Sequence, residues 1–235
     1  MTLALQLLDA TAAAVAWILC RVTGKEEFEK VPRQGPFILI TNHVNNLEIP
    51  VLRSGLRPRD VRALSKAESW DHPILKHLLN IWGAIPVRRG ESDIGALRQS
   101  LEVLKGGGIL AIAPEGTRSR TGRLQRGNQG ITTIALKSEA PIYPLAFHGG
   151  ETVRGNARRL RRTSFHVHVG HPFILTAGDE RPTREIRERM TDEIMYQLAA
   201  LLPPTYRGVY ADLTSATKQY LRFEAPAHDN LLDAL

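Results

Sequence analysis

Phe37-Ile38-Leu39-Ile40-Thr41-Asn42-His43-Val44-Asn45-Asn46-Leu47-Glu48-Ile49-Pro50 decides how the chain is read. The first four residues form an unbroken apolar run, the pattern of a strand buried on both faces. An asparagine-rich turn follows, and Pro50 marks a helix start, where a missing backbone N–H is tolerated. Strand, polar turn and helix in that order open a βαβ unit. The turn also holds a histidine and a carboxylate five residues apart. On a regular helix these would point about 140° away from each other, because only i,i+3 and i,i+4 positions are neighbours. They meet only if His43 stays in the turn and Glu48 enters the first helical turn. In that layout the carboxylate fixes the imidazole tautomer, leaving the other ring nitrogen to take a proton. The plainer alternative is a helix-start carboxylate beside an ordinary loop histidine.

The same alternation continues outward. Phe37–Ile40, Val61–Leu64, Ala84–Val87, Ile109–Ile112, Ile142–Phe147 and Phe165–Val169 read as strands. Ile49–Leu56, His72–Trp82, Ile94–Lys105 and Gln129–Lys137 read as helices between them. Arg181–Leu202 is a further helix, stopped by Pro203-Pro204. The expected fold is therefore α/β: a single domain with a mostly parallel, mixed sheet covered by helices on both faces. Residues 25–205 form that domain. Residues 206–235 read as a C-terminal extension, weakly helical around Leu213–Phe223 and then a polar tail.

The first segment, residues 1–24, reads as an N-terminal membrane-associating helix. Thr2, Gln6, Asp9, Ala13, Ala16 and Cys20 recur at helical spacing as one polar-or-small stripe, and the remaining surface is apolar. Such a helix lies on a bilayer with its stripe against protein or water. Packing on the domain core is the alternative. A full span is disfavoured, because Asp9 near its middle costs roughly 2.5–3.5 kcal/mol on insertion scales.

Bulk composition narrows the chemistry. The 235 residues hold 43% apolar and 23% charged side chains, with a net charge of +7 and an isoelectric point near 9.8. Positive charge of this size suits a polyanionic partner, either nucleic acid or an anionic membrane surface. Only 6% of residues are aromatic, which is poor equipment for base stacking, and no nucleic-acid motif occurs. Arg154, Arg158, Arg159, Arg161 and Arg162 suit anionic lipid headgroups instead. Cys20 is the lone cysteine, so an intrachain disulfide and a CxxC site are both excluded.

Chemistry-bearing residues cluster after successive strands, the usual address of sites in open α/β sheets. Asn42, His43 and Glu48 follow the first strand, and Lys66 the second. Arg88 and Arg89 follow the third, where guanidinium groups suit a phosphate. After the fourth comes Pro114-Glu115-Gly116-Thr117-Arg118-Ser119-Arg120, a glycine-containing turn whose backbone N–H groups can form an anion-binding concavity. Ala140-Pro141-Ile142-Tyr143-Pro144-Leu145-Ala146-Phe147 reads as wall rather than reagent. His166, His168 and His171 have ligand-like spacing but no accompanying carboxylate motif, and no metal is expected.

These four stretches, in this order, resemble the four blocks of the glycerolipid acyltransferase family, which includes 1-acylglycerol-3-phosphate acyltransferases. The blocks are NHxxxxD, GxIxVxR, EGTRS and a VPIxPV-like strand, and the resemblance covers roughly residues 30–205. It implies that His43 is the catalytic base and that Glu48 stands where the family usually has aspartate. It further implies that Arg89 binds the acceptor's phosphate and that Glu115, Gly116, Thr117 and Arg118 position the acceptor. Asn42, Lys66 and Arg88 are expected to assist. The implied reaction moves an acyl group from an acyl thioester, acyl-CoA or acyl carrier protein, to a hydroxyl of a lysophospholipid, with no cofactor. The implied location is the cytoplasmic face of a membrane, peripheral or monotopic. No GxSxG elbow is present, so direct transfer is expected rather than an acyl-enzyme. A lipid ester hydrolase using the same dyad is the nearest rival.

Overall fold

A computed structural model describes residues 3–45, 47–88, 93–232 and 234. Nine strands among them build a mixed, mostly parallel sheet: β1 (Cys20–Thr23), β2 (Phe37–Thr41), β3 (Val61–Lys66), β4 (Ile85–Val87), β5 (Ile109–Ile112), β6 (Ile142–His148), β7 (Thr163–Val169), β8 (Phe173–Leu175) and β9 (Leu221–Phe223). The main path runs β1-β7-β6-β2-β5-β3-β4. Within it β6, β2, β5, β3 and β4 are parallel, whereas β7 runs antiparallel to β6. β8 pairs antiparallel with β6 and with β9. The helices are α1 (Leu3–Leu19), α2 (Glu48–Gly55), α3 (Pro73–Ile81), α4 (Ile94–Lys105), α5 (Gly130–Ser138), α6 (Val153–Arg158) and α7 (Arg184–Ala200).

β2 is the axis of the core. Phe37, Ile38, Leu39 and Ile40 are all buried, and strand alternation divides them between two faces. Ile38 and Ile40 join Leu110, Ile112, Ile142 and Ala146 under α4, α5 and α7. Phe37 and Leu39 join Ala111, Leu145 and Phe147 on the face covered by α1 and α2. Each such side chain contributes about 1.5–3 kcal/mol by leaving water, so this run strongly fixes the strand's register. With β5 on one side and β6 on the other, the turns after these three strands converge at one edge of the sheet.

The N-terminal helix packs on the domain through Leu5, Asp9 and Ala16, which are buried, while Gln6, Leu7, Val15 and Ile18 are exposed. Asp9 accepts from Arg53 Nε at 2.7 Å and Nη2 at 3.1 Å, and from Trp82 Nε1 at 3.0 Å. Arg53 also donates to the Val61 carbonyl. The acid that argues against a bilayer span is thus the link from α1 to α2 and to the end of α3. Residues 20–23 do not continue the helix: Cys20 and Val22 are buried in β1, paired in parallel with β7. Among the described residues no helix is long and apolar enough to cross a membrane.

The C-terminal stretch corrects the sequence reading. Leu213–Ser215 is a single tight turn and Leu221–Phe223 is strand β9, while Leu213, Tyr220, Leu221 and Leu231 lie in the main core. The cause is a buried acid on α7. Glu193 accepts from Thr217 Oγ1, Gln219 N and Tyr220 N at 2.6, 2.8 and 2.9 Å, drawing the segment in as extended chain. The tail is not a solvated polar strip either, since Asp229 and Asn230 are buried and bonded to Gln197.

Candidate active site

At the carboxyl end of β2 the chain leaves the sheet through Asn42. Its side-chain amide donates to the Phe147 carbonyl at 2.7 Å and accepts from Phe147 N at 2.8 Å, imitating one more rung of the β2–β6 ladder. Asn42 is buried, and both ends of its amide are engaged. It therefore anchors the turn.

His43 and Glu48 occupy the turn and the first helical position, respectively. His43 Nδ1 lies 2.6 Å from Glu48 Oε2. The other carboxylate oxygen, Oε1, accepts from Val44 N at 2.7 Å and Asn45 N at 2.9 Å. Glu48 thus reaches back from the start of α2 to hold the turn that presents the histidine. Asn45 completes the turn, accepting from Leu47 N at 2.7 Å and donating to the Gly150 carbonyl at 2.9 Å. The Glu48 side chain is 3% exposed and that of His43 23%. With a buried acceptor on Nδ1, that nitrogen carries the proton and Nε2 holds the basic lone pair.

A second buried carboxylate grips the same histidine from behind. Glu115 Oε1 accepts from the His43 backbone N–H at 3.0 Å, and Oε2 accepts from Gln125 N at 2.9 Å. Burial pushes the Glu115 carboxyl above its usual range, opposed by these N–H donors. Ser119 N donates to the His43 carbonyl at 2.7 Å, so the loop after β5 clasps the residue through both backbone groups. Gly116 sits in this loop at φ +66°, and a Cβ there would come within 2.7 Å of Asn128 Nδ2. Asn128 in turn donates to the Glu115 carbonyl at 2.9 Å. Glycine is required at 116 for both backbone conformation and space.

The basic residues lie on solvent. Lys66 ends β3, Arg88 follows β4, and Thr117 and Arg118 follow β5, all exposed. At about 4.8 Å between neighbouring strands, the ends of β3 and β4 stand roughly 10 and 14 Å from the end of β2. Arg88 N donates to Asp93 Oδ2 at 2.9 Å, which pulls the Asp93 carboxyl down and fixes the strand's exit. Arg89 lies outside the described residues. Cys20, fully buried, has its thiol pushed up by burial, which is the opposite of an activated nucleophile. The structure therefore brings His43, Glu48 and Glu115 together, with Arg118 on the same loop as Glu115, and leaves Lys66 and Arg88 two and three strands away from β2. Sequence reasoning missed the supporting ring of Asn45, Ser119, Gln125 and Asn128. Their bonds run mostly to backbone groups, and no residue spacing announces such contacts.

Known proteins resemble this chain in sequence and in fold. The acyltransferase family model matches residues 20–148. The chain is 30% identical over 116 residues to a chloroplastic 1-acyl-sn-glycerol-3-phosphate acyltransferase of Brassica napus, covering 48% of this chain and 33% of that protein. It is 24% identical over 174 residues to a 1-acyl-sn-glycerol-3-phosphate acyltransferase of Bacillus subtilis, covering 74% of this chain and 84% of that protein. The chain thus spans about a third of the length of the Brassica napus protein. Its fold is similar to the crystal structure of the 1-acyl-sn-glycerophosphate acyltransferase PlsC from Thermotoga maritima. The TM-score is 0.57 at 21% identity, over 81% of this chain and 76% of that one.

Proposed function

This chain belongs to the acyltransferase family, and on that premise we propose that it acylates the free hydroxyl of a 1-acylglycerol-3-phosphate. The donor is an acyl thioester, carried by coenzyme A or acyl carrier protein. The observation that carries the proposal is the 2.6 Å contact between His43 Nδ1 and the buried Glu48 carboxylate, at the strand end where the family resemblance puts a base.

In this mechanism His43 Nε2 removes the acceptor's hydroxyl proton as the oxygen attacks the thioester carbonyl. Glu48 stabilises the imidazolium that forms. The tetrahedral oxyanion then collapses, expelling the carrier thiolate, which takes up the proton from the imidazolium. Lys66, Arg88 and Arg118, with Arg89, hold the acceptor's phosphate and convert an encounter of two molecules into an oriented one. Glu115 and Gly116 keep His43 in place, and Thr117 lies beside the acceptor. No cofactor takes part.

The reaction is assigned to the cytoplasmic face of a membrane, with the protein held peripherally. Leu7, Val15 and Ile18 on α1 provide an apolar face. Leu160, 97% exposed, stands among Arg158, Arg159 and Arg161, a combination suited to an anionic bilayer surface. Arg162 joins this tip to the end of α1 by donating to the Trp17 and Cys20 carbonyls at 2.6 Å. The test is incubation of the purified protein with labelled acyl-CoA or acyl carrier protein, with and without lysophosphatidic acid on anionic vesicles. Acceptor-dependent phosphatidic acid is the expected product. Free fatty acid formed equally without acceptor would identify a hydrolase instead.

A further inference from the structure

Beyond the dyad, three imidazoles gather where β6 and β7 pair. His148 lies directly across from His166, and Ala146 across from His168. Strand alternation therefore sends all three side chains to the same face. The His148 and His166 rings stack with centroids 4.4 Å apart and planes within 8°. His166 Nδ1 is occupied 2.7 Å from Thr23 Oγ1. His148 and His168 meet differently. Their planes agree within 5°, their centroids are 5.3 Å apart, and their Nε2 atoms approach to 3.2 Å. Edges rather than faces converge.

We propose that His148 and His168 form a bis-imidazole site for a divalent transition metal of the zinc and copper class. A metal at about 2.0–2.1 Å from each nitrogen, at a tetrahedral angle, separates the two nitrogens by about 3.3 Å. The observed separation already matches. Imidazole nitrogen suits zinc, copper and nickel rather than magnesium or calcium. Both ligands stand on a paired strand ladder, with His148 further fixed between the His166 ring and Tyr206, at 5.2 Å, so little ordering remains for binding. Among the described residues no third His, Cys, Asp or Glu completes a cluster, so water fills the remaining positions. On binding, the proton shared between the two Nε2 atoms passes through solvent to an Nδ1. Each ring stays neutral and no redox change occurs.

The site has a direct line to the reaction centre. Phe147, next to His148, holds Asn42 through two hydrogen bonds, and Gly150 holds Asn45. A metal on His148 thus sits on the backbone that anchors the His43 turn. The metal inference does not depend on the acyl-transfer reading, because binding is measured without any substrate.

The test is calorimetric titration of the full, tag-free protein with Zn2+, with Cu2+ spectra as a second probe of nitrogen coordination. One equivalent should bind, and His168→Ala and His148→Ala should each weaken it. The expected weakening is at least the roughly 10–100-fold that even an outer-shell change costs. His171→Ala, whose ring stacks on His228 instead, should bind like the parent. His168 is an exposed strand residue, so its variant should melt normally and decides the matter if His148→Ala misfolds. Absence of saturable binding, or binding that survives His168→Ala within threefold, would overturn the site.

Discussion

Two neighbouring strand ends each present a histidine, and the two rings have opposite kinds of neighbour. At the end of β2, His43 Nδ1 meets the buried Glu48 carboxylate at 2.6 Å. At the end of β6, His148 faces His166 and His168. Burial first, then those two rings, pushes the His148 pKa down from 6.5 to about 4, against a weaker pull from Glu151. A general base must hold a proton briefly at working pH, and of the two rings His43 is the one with a carboxylate on a ring nitrogen to balance that charge. Position at a carboxyl strand end is therefore not enough to make a histidine a base. The partner on its far nitrogen decides.

The sharpest way to break this comparison is His43→Ala. The proposed role requires kcat to fall by about 10²–10⁴-fold, the usual worth of general-base catalysis. A near-normal rate of lysophosphatidic acid acylation would refute it. Glu48→Gln is next, with a loss of roughly 10–10³-fold in kcat, since an amide leaves the imidazolium without its counter-charge. Glu48→Asp should fall between this and the parent. One methylene shorter, it must draw the turn inward to bond His43 and both the Val44 and Asn45 amides. Glu115→Gln follows. It replaces an acceptor oxygen with a donor facing an N–H, so thermal unfolding should show a loss of about 1–3 kcal/mol, with kcat reduced less than in Glu48→Gln.

The smallest effect is expected from His148→Gln, which should acylate near the parental rate in chelator-treated protein. Its signature is in acid stability. A histidine whose folded pKa lies below its unfolded one lends stability above pH 6.5 that is lost as pH falls toward 4. Thermal melts should therefore show the parent losing more stability than His148→Gln across that window. Parallel curves would remove the contrast between the two histidines.

The sheet and most of the helices were legible because their signals are local. An apolar run such as Phe37–Ile40 states its own burial, and Pro50 states the helix start. The geometric condition on His43 and Glu48 was legible too, because helix periodicity leaves the pair a single way to meet. What escaped depended on partners distant in sequence. β9 forms because Glu193 captures amides 26 and 27 residues downstream. The anchoring of Asn42 was hidden because Phe147, which takes both ends of its amide, lies 105 residues away. β1 was concealed because Cys20 and Val22 prolong an apolar helix in sequence but pair with β7 in space. The acid at position 48 was the doubtful residue of the dyad. In the structure its added methylene lets one carboxylate reach the ring and two amides of the turn together.

The Asp9–Arg53 bond has a mechanical consequence. Arg53 lies on α2, the helix whose first residue is Glu48, and it is only 6% exposed. Were α1 to swing free, Arg53 would lose both bonds to its acid and keep only the Val61 carbonyl. The helix is therefore a fixed outrigger rather than a tether. A bilayer that receives Leu7, Val15 and Ile18 receives the whole sheet at a set tilt. On the proposed membrane reading, the height of His43 above the lipid headgroups would then be set by the fold itself.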